Sequence, residues 1–170
     1  GRTVIVRGDD GSERTLRARV ILIATGSRPH HPAGLPFDDP DVHDSETILS
    51  IDRLPERLVV VGGGPVGTEY ASIFSALGVE VTLVDRGSRL LPILDSEISA
   101  ALADSLRGSS ARLMFESQVD SVTRTAEGLV VLVGEEALRA DAVLHALGRT
   151  GNTDGLGLPE AGVEFDARGR

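Results

Sequence analysis

A glycine-rich turn between an apolar run and a helical pattern constrains this chain more than any other feature. The apolar run covers residues 58–61, and the turn that follows it reads GGGPVG over residues 62–67. Apolar residues then recur with the spacing of one helical face, at Val66, Tyr70, Ile73, Phe74 and Leu77. Gly78 ends this pattern, and a second predicted strand over residues 79–84 leads to Asp85. The predicted order is strand, glycine turn, helix, strand and acid.

Each part of this order suits a dinucleotide. Gly62 lets the chain leave the strand sharply, Gly64 lets the backbone approach a pyrophosphate, and Gly67 lets helix and strand pack closely. Pro65 suits the first helical position, where free N–H groups and the positive end of the helix dipole face the phosphates. Asp85 follows Gly67 by 18 residues, close to the ~20 expected of an acid that binds a ribose. We therefore predict a dinucleotide site; the alternative is an α/β domain whose glycines serve only a tight turn.

Composition excludes several other classes of chemistry. The 170 residues include no cysteine, which excludes disulfides, thiolate zinc sites and a cysteine nucleophile from this sequence. No apolar run approaches the ~20 residues of a membrane span, and a net charge of −9 argues against a nucleic-acid partner. All 17 basic residues are arginine, so arginine must meet any phosphate. The four histidines lack metal-ligand spacing, and no metal site is predicted.

Two segments of the chain have similar sequences. Residues 16–26 (LRARVILIATG) align without gaps on residues 138–148 (LRADAVLHALG), with six identities in eleven positions. Each segment is typical of a β-hairpin that leads into a buried last strand, at residues 20–24 and 142–146. The second copy forms the end of the domain that begins at Leu58. No matching glycine turn precedes the first copy in this sequence. We therefore expect residue 1 to lie inside a preceding dinucleotide-binding domain; the alternative is a chance likeness between hairpins.

Further elements are expected around the glycine turn. Asp95 is a predicted N-cap, and Ile98, Leu102 and Leu106 form one face of the helix that ends at Gly108. His145 lies in a predicted buried strand. Short strands are expected at 113–115 and 119–125, and a short helix at 47–51.

These motifs resemble the FAD-dependent pyridine nucleotide–disulfide oxidoreductase family. The resemblance rests on ATG at 24–26, GGGPVGTE at 62–69 and LGRTGN at 147–152. It implies an α/β fold of the two-domain FAD/NAD(P)-binding flavoprotein type, with a Rossmann-like parallel sheet and an antiparallel β-meander crossover. It divides the chain into the C-terminal end of an FAD-binding domain with a connector (1–45), an NAD(P)-binding domain (46–150) and a return segment toward the FAD domain (151–170).

Within the family, the soluble pyridine nucleotide transhydrogenases resemble this chain most, through SRPHHP, HDSETILSID, EYASIF and GRTGNTD. The resemblance implies that NADPH passes hydride to NAD⁺ through FAD, and that this segment supplies nucleotide binding but no catalytic residue. It also implies a cytoplasmic homodimer whose partners are nicotinamide nucleotides, and an inactive isolated segment. The alternatives are dihydrolipoamide dehydrogenase or a related disulfide reductase and, in another class, a non-catalytic NAD(H)-sensing domain.

The motif and the resemblance together give the predicted cofactor-binding residues. They are Gly62, Gly63, Gly64, Pro65, Val66, Gly67, Glu69, Asp85, Arg86, Arg89, Val119 and Gly148. The resemblance places Glu69 near the nicotinamide and the flavin; the alternative is an acid that only complements the helix dipole.

Asp85 bears on the choice between NAD and NADP. A 2′-phosphate carries about −1.5 to −2 charge, and each unit of like charge at ~4 Å costs about 4 kcal/mol at an effective dielectric of ~20. Asp85 therefore favours NAD(H) unless it moves, which weighs against a transhydrogenase. Arg86 and Arg89 are candidates to receive the phosphate, or else solvated loop arginines. We expect Asp85→Ala to lower NADH affinity more than NADPH affinity.

Overall fold

The structure is a computed structural model that describes residues 2–170. Its strands, in chain order, are β1 (Thr3–Arg7), β2 (Glu13–Arg17), β3 (Ser27–Pro29), β4 (Val42–Asp44), β5 (Arg57–Val61), β6 (Glu80–Val84), β7 (Arg112–Met114), β8 (Val119–Thr125), β9 (Gly128–Val133), β10 (Glu136–Ala140), β11 (Ala142–His145) and β12 (Arg149–Gly151). The helices are α1 (Pro65–Ala76), α2 (Ser96–Gly108) and a short 3₁₀ helix (Thr47–Ser50). The chain divides into two units, Pro29–Gly148 and residues 2–28 with Arg149–Arg170.

A five-stranded parallel sheet forms the centre of the larger unit, in the order β4-β11-β5-β6-β7. Strands β5 and β11 are almost entirely buried and consist mainly of valine, leucine and alanine. Such sequences are typical of parallel strands that are covered on both faces. The strands predicted at residues 58–61, 79–84 and 142–146 are confirmed, with ends shifted by one residue.

The two faces of this sheet are covered by different elements. Val60 of β5 shares a buried apolar cluster with Phe74 of α1 and Leu106 of α2. Its neighbour Val59 belongs to a second cluster, together with Val131 of β9. Alternate residues of a strand point to opposite faces, so the helices cover one face and the antiparallel sheet β10-β9-β8, called the meander below, covers the other. The predicted α/β fold with a parallel sheet and an antiparallel meander is confirmed.

Helix α1 has the predicted bounds but a different buried face. It buries Gly67, Ala71 and Phe74, whereas Ile73 and Leu77, which belong to the predicted apolar face, are 53% and 57% exposed. The two small residues let the helix approach the sheet closely. The contact face is therefore set by the small residues, and the predicted apolar face is only partly buried.

Asp95 is the N-cap of helix α2, as predicted, and its carboxylate accepts a hydrogen bond from the backbone N–H of Glu97. Its buried residues are Ser99, Ala103 and Leu106. Ile98, predicted to lie on the same face, is 58% exposed. As in α1, small side chains define the contact with the sheet.

In the smaller unit, β1 and β2 form an antiparallel hairpin and β12 pairs with β3. Residues 20–24 do not form the predicted buried strand. Val20 and Leu22 are 84% and 87% exposed, and within residues 2–170 no strand pairs with this segment. A strand exists through hydrogen bonds to a neighbouring strand, so this prediction is wrong for the chain described. None of the helices in the described residues has the length and apolar character needed to cross a membrane.

Candidate nucleotide-binding site

Two glycines of the glycine turn are required by backbone packing. Gly62, directly after β5, has a φ of +112°, and a Cβ there would lie 2.7 Å from the carbonyl oxygen of Ala146. A Cβ on Gly67 would lie 1.9 Å from the carbonyl oxygen of Gly62. These contacts leave no room for a side chain, so both positions are glycine for structural reasons.

Gly64 has no such reason to be glycine. Its φ of −76° suits any residue, and a Cβ there would have no described atom within 4 Å. Gly64 precedes Pro65, the first residue of α1, and within the described chain no side chain caps this helix end. The first N–H groups of a helix lack intrahelical acceptors. The surface at Gly64 therefore combines backbone donors with an open approach, which suits an anion.

Gly63 is held by contacts within the protein on both sides of its peptide groups. Its N–H donates to Oδ1 of Asp85 at 2.8 Å, and its carbonyl oxygen accepts from the backbone N–H of Leu91 at 3.0 Å. The Thr68 hydroxyl donates to the same carbonyl oxygen at 3.2 Å. These bonds hold the glycine turn in place. The Gly63 N–H already donates to Asp85, so it is not a free donor for a ligand.

Asp85 lies half-buried directly after β6, as predicted. Besides the bond from Gly63, its carboxylate accepts a hydrogen bond from the Gly87 N–H at Oδ2, 2.9 Å away. Each carboxylate oxygen has two acceptor positions, so Asp85 retains capacity for a ribose hydroxyl. The sequence does not indicate these two hydrogen bonds from Gly63 and Gly87, because they depend on how two turns approach each other.

The two arginines that follow Asp85 have different environments. Arg86 is exposed and, in residues 2–170, makes no hydrogen bond or ion pair. The Arg89 guanidinium donates to the carbonyl oxygens of Pro92 and Leu94, at 3.0 and 3.5 Å. Arg86 is therefore available to an external anion, whereas Arg89 holds its own loop.

Glu69 is exposed on the second turn of α1 and lines a groove of about 380 Å³. The groove also contacts Pro65 of α1, Leu91 of the following loop and Leu102 of α2. Among the described residues that line it, Glu69 alone is charged. A ligand in this groove meets mostly apolar surface and one carboxylate.

The two remaining predicted residues lie on other elements. Val119 begins β8 and is half-buried against the cluster that contains Val84 of β6. Gly148 follows β11 with a φ of +93° and accepts a hydrogen bond at its carbonyl oxygen from the His30 N–H, at 2.9 Å. The left-handed backbone at Gly148 favours glycine for a structural reason.

A ring cluster at the end of β11 was not predicted. His145 is 2% exposed, and neither of its ring nitrogens has a hydrogen-bond partner among the described residues. Phe37 packs against it with ring centroids 5.1 Å apart, and His31 stacks on Phe37 at 3.8 Å. Nε2 of His31 lies 2.7 Å from Oδ2 of Asp44. Burial, and to a lesser extent the nearby His31, lowers the pKa of His145 from 6.5 to about 4.

One hydrogen bond joins α1 to the loop after β4. The Tyr70 hydroxyl donates to the carbonyl oxygen of Ser45 at 2.9 Å. Burial raises the pKa of Tyr70, and the negative charges of Glu69 and Asp44 raise it further. The second turn of α1, where Glu69 lies, is thereby tied to the segment that leads into the 3₁₀ helix.

Comparison with known proteins identifies the family to which this chain is similar. The model of the pyridine nucleotide-disulphide oxidoreductase family matches residues 1–170. Soluble pyridine nucleotide transhydrogenases from Pectobacterium atrosepticum and Pseudomonas aeruginosa are 41% and 44% identical to the chain, over 99% of its length. The chain spans 36% and 37% of the length of these two relatives.

Two solved structures have a similar fold. The HOCl-induced flavoprotein disulfide reductase RclA from Escherichia coli superposes with a TM-score of 0.86 at 29% identity, over 98% of this chain and 38% of that one. LpdA from Mycobacterium tuberculosis also has a TM-score of 0.86, at 30% identity over 97% of this chain and 36% of that one.

Proposed function

Because this chain belongs to the pyridine nucleotide-disulphide oxidoreductase family, we propose that its larger unit binds a nicotinamide nucleotide at the glycine turn. The observation that carries the proposal is Gly64. Its backbone would tolerate any residue and a Cβ there would touch nothing, so neither packing nor backbone strain requires glycine there. A pyrophosphate held against this backbone does explain it.

In this proposal each part of the nucleotide meets a different part of the site. The pyrophosphate lies against Gly64 and the uncapped first turn of α1, where the helix dipole contributes about 0.3–1 kcal/mol per favourable charge. The adenosine ribose lies at Asp85. Arg86 supplies the free cation for a 2′-phosphate, and the apolar groove beside Glu69 receives the nicotinamide end.

We also propose that the chain is part of a longer flavoprotein. Residues 1–45 are the end of an FAD-binding domain with a connector, residues 46–150 the NAD(P)-binding domain, and residues 151–170 the return to the FAD domain. The relatives, of which the chain spans 36–37%, support a longer protein. So does the apolar, unpaired segment 20–24, which has the composition of a strand that needs partners.

The proposed activity of the complete protein is transfer of hydride between NADPH and NAD⁺, and the proposed setting is a cytoplasmic homodimer. FAD supplies the redox chemistry when bound, and the residues of this chain bind and orient the nucleotide. Identity of 41–44% to proteins named soluble pyridine nucleotide transhydrogenase supports this activity. The isolated chain is expected to be inactive.

Disulfide reduction is the second candidate activity. It is favoured by the likeness in fold to RclA, a protein named as a disulfide reductase. Such an enzyme uses the same nucleotide site, so the nucleotide-binding residues do not separate the two activities.

A direct assay on the complete protein separates the candidates. NADPH is mixed with thio-NAD⁺ in the absence of any disulfide, and the absorbance of thio-NADH is followed. Flavin-dependent formation of thio-NADH supports the transhydrogenase. No formation, with NAD⁺ reduced when dihydrolipoamide is added, supports the disulfide reductase class instead. Tight NADH binding without flavin or turnover would point to a sensing domain.

A further inference from the structure

The Asp85 carboxylate joins two separate turns. Oδ1 accepts from the N–H of Gly63 in the glycine turn, and Oδ2 accepts from the N–H of Gly87 in the turn after β6, at 2.8 and 2.9 Å. Backbone N–H bonds to a carboxylate are among the stronger hydrogen bonds in proteins. Rotating Asp85 out of the site would break both of them.

The residue types at both donors fit this arrangement. A Cβ on Gly63 would lie 3.1 Å from the Asp85 Cγ, and a Cβ on Gly87 would lie 2.8 Å from Oδ2. Neither glycine has a positive φ, so their backbones do not require glycine. It is the position of the Asp85 carboxylate that leaves little or no room for side chains there.

The turn that carries Gly87 is also fixed on its other side by backbone bonds. The carbonyl oxygen of Gly87 accepts from the Glu116 N–H at 2.9 Å, and that of Asp85 accepts from the Ser117 N–H at 3.0 Å. A change confined to the Asp85 carboxylate therefore leaves these main-chain bonds in place. The role of the carboxylate can be tested separately from the fold of the turn.

We propose that Asp85 is a positioning residue that holds the glycine turn and residues 86–89 in one arrangement, and thereby sets the affinity for NAD(H) and NADP(H) alike. This inference rests on the nucleotide site proposed above. A residue that acted only by repelling a 2′-phosphate would, once removed, strengthen NADP(H) binding. A residue that also holds the turns weakens binding of both nucleotides when it is lost.

Two variants separate these roles. Gly87→Ala displaces Oδ2 by its new Cβ but keeps the charge of Asp85. Asp85→Asn removes the charge and leaves one oxygen to accept from two N–H groups. Ser88→Ala, an exposed change in the same turn, is the matched control. The probes are ADP-ribose and 2′-phospho-ADP-ribose, which cannot exchange hydride, titrated calorimetrically into the complete protein.

We expect Gly87→Ala to weaken both probes by a similar factor, about tenfold, as for one lost hydrogen bond to a charged group. Asp85→Asn should weaken ADP-ribose more than 2′-phospho-ADP-ribose, with neither bound more tightly than by the unmodified protein. That change in the ratio of the two affinities is a readout that a general loss of structure would not produce. The affinities of Ser88→Ala for both probes should stay near those of the unmodified protein. The melting temperatures of all three variants should also stay near that of the unmodified protein.

Unchanged affinities in Gly87→Ala, or tighter binding of 2′-phospho-ADP-ribose by Asp85→Asn, would overturn the positioning role. If the unmodified protein binds neither probe, the proposed nucleotide site itself fails, and the positioning role fails with it. Titration of the unmodified protein with the two probes therefore distinguishes failure of the nucleotide site from failure of the positioning role.

Discussion

Gly67 packs so closely on Gly62 that a Cβ at residue 67 would lie 1.9 Å from the Gly62 carbonyl oxygen. Helix α1 and the end of β5 are in direct backbone contact at this point. We therefore expect Gly67→Ala to lower the free energy of unfolding by about 1–3 kcal/mol or more, as overpacking does. Urea denaturation followed by circular dichroism checks this. Gly108→Ala, in an open position at the end of α2, is the control and should not destabilise.

Gly64→Ala should have the opposite profile. The new Cβ has open space and an unstrained backbone, so the free energy of unfolding should fall only by the cost of alanine in place of glycine at an N-cap, below about 1 kcal/mol. If a pyrophosphate contacts this backbone, the methyl group displaces it, and ADP-ribose affinity should drop about tenfold or more, equivalent to about 1.4 kcal/mol. Calorimetric titration of the complete protein measures this. Full affinity in Gly64→Ala would remove the main support for the proposed site.

We predict that protonation of the buried His145 lowers the stability of the protein in acid. Because burial lowers its folded pKa from 6.5 to about 4, the unfolded chain binds the proton more readily between these pH values. The free energy of unfolding therefore falls as pH falls from about 6.5 to 4, by up to about 3 kcal/mol from this residue. The measurement is urea denaturation at a series of pH values.

The variant His145→Leu tests the assignment. Leucine removes both unpartnered ring nitrogens, and an apolar group of similar size is tolerated at such a site. The dependence of the free energy of unfolding on pH should flatten between pH 4 and 6.5. A slope equal to that of the unmodified protein would mean that groups other than His145 cause the pH dependence.

Arg124 of β8 joins the meander to the loop before β4. Its Nε donates to Oδ2 of Asp39 at 2.9 Å, and it also pairs with Asp41 at 2.7 Å. The bond from Arg124 lowers the pKa of Asp39, so the stabilisation is complete above pH 3.8 and is lost as pH falls through the folded pKa. We expect Arg124→Met to cost about 1 kcal/mol at neutral pH, measured by urea denaturation.

The control for Arg124 is Arg112, which pairs with Glu136 on the surface. Both partners of that pair are largely exposed, so Arg112→Met should leave stability nearly unchanged. Equal losses in the two variants would show that the partial burial of Asp39 does not strengthen its pair.

Much of the fold could be predicted because the informative signals are local. The apolar run before Gly62, the spacing from Gly67 to Asp85 and the Asp95 cap each specify a strand, a turn or a helix end within a few residues. The match of residues 1–170 to one family model agrees with the resemblance inferred from the same motifs.

The errors arose where burial depends on distant residues. Ile73 and Ile98 have the spacing of a buried helical face, but both are exposed because smaller neighbours set the contact with the sheet. Residues 20–24 have a strand sequence, but no strand in the described residues pairs with them. The packing of Phe37 between His31 and His145 is not indicated by any periodicity in the sequence.

The sequence indicated the residues of the candidate site but not the hydrogen bonds between them. Gly64 and Asp85 were singled out by spacing alone. The bonds from Gly63 and Gly87 to Asp85, and the different environments of Arg86 and Arg89, required coordinates. Sequence spacing indicates candidate ligand-binding residues, but not which of them also form hydrogen bonds with each other.

The hydrogen bond from Tyr70 to Ser45 has a practical consequence for spectroscopy. The chain contains one tyrosine and no tryptophan, so its intrinsic tyrosine fluorescence and its near-ultraviolet absorbance above the phenylalanine bands come from one ring. That ring lies one residue after Glu69, at the helix whose first turn faces the proposed phosphate position. This chain therefore carries a built-in optical reporter, and a change in its emission would signal movement of α1 against the loop after β4 without any attached dye.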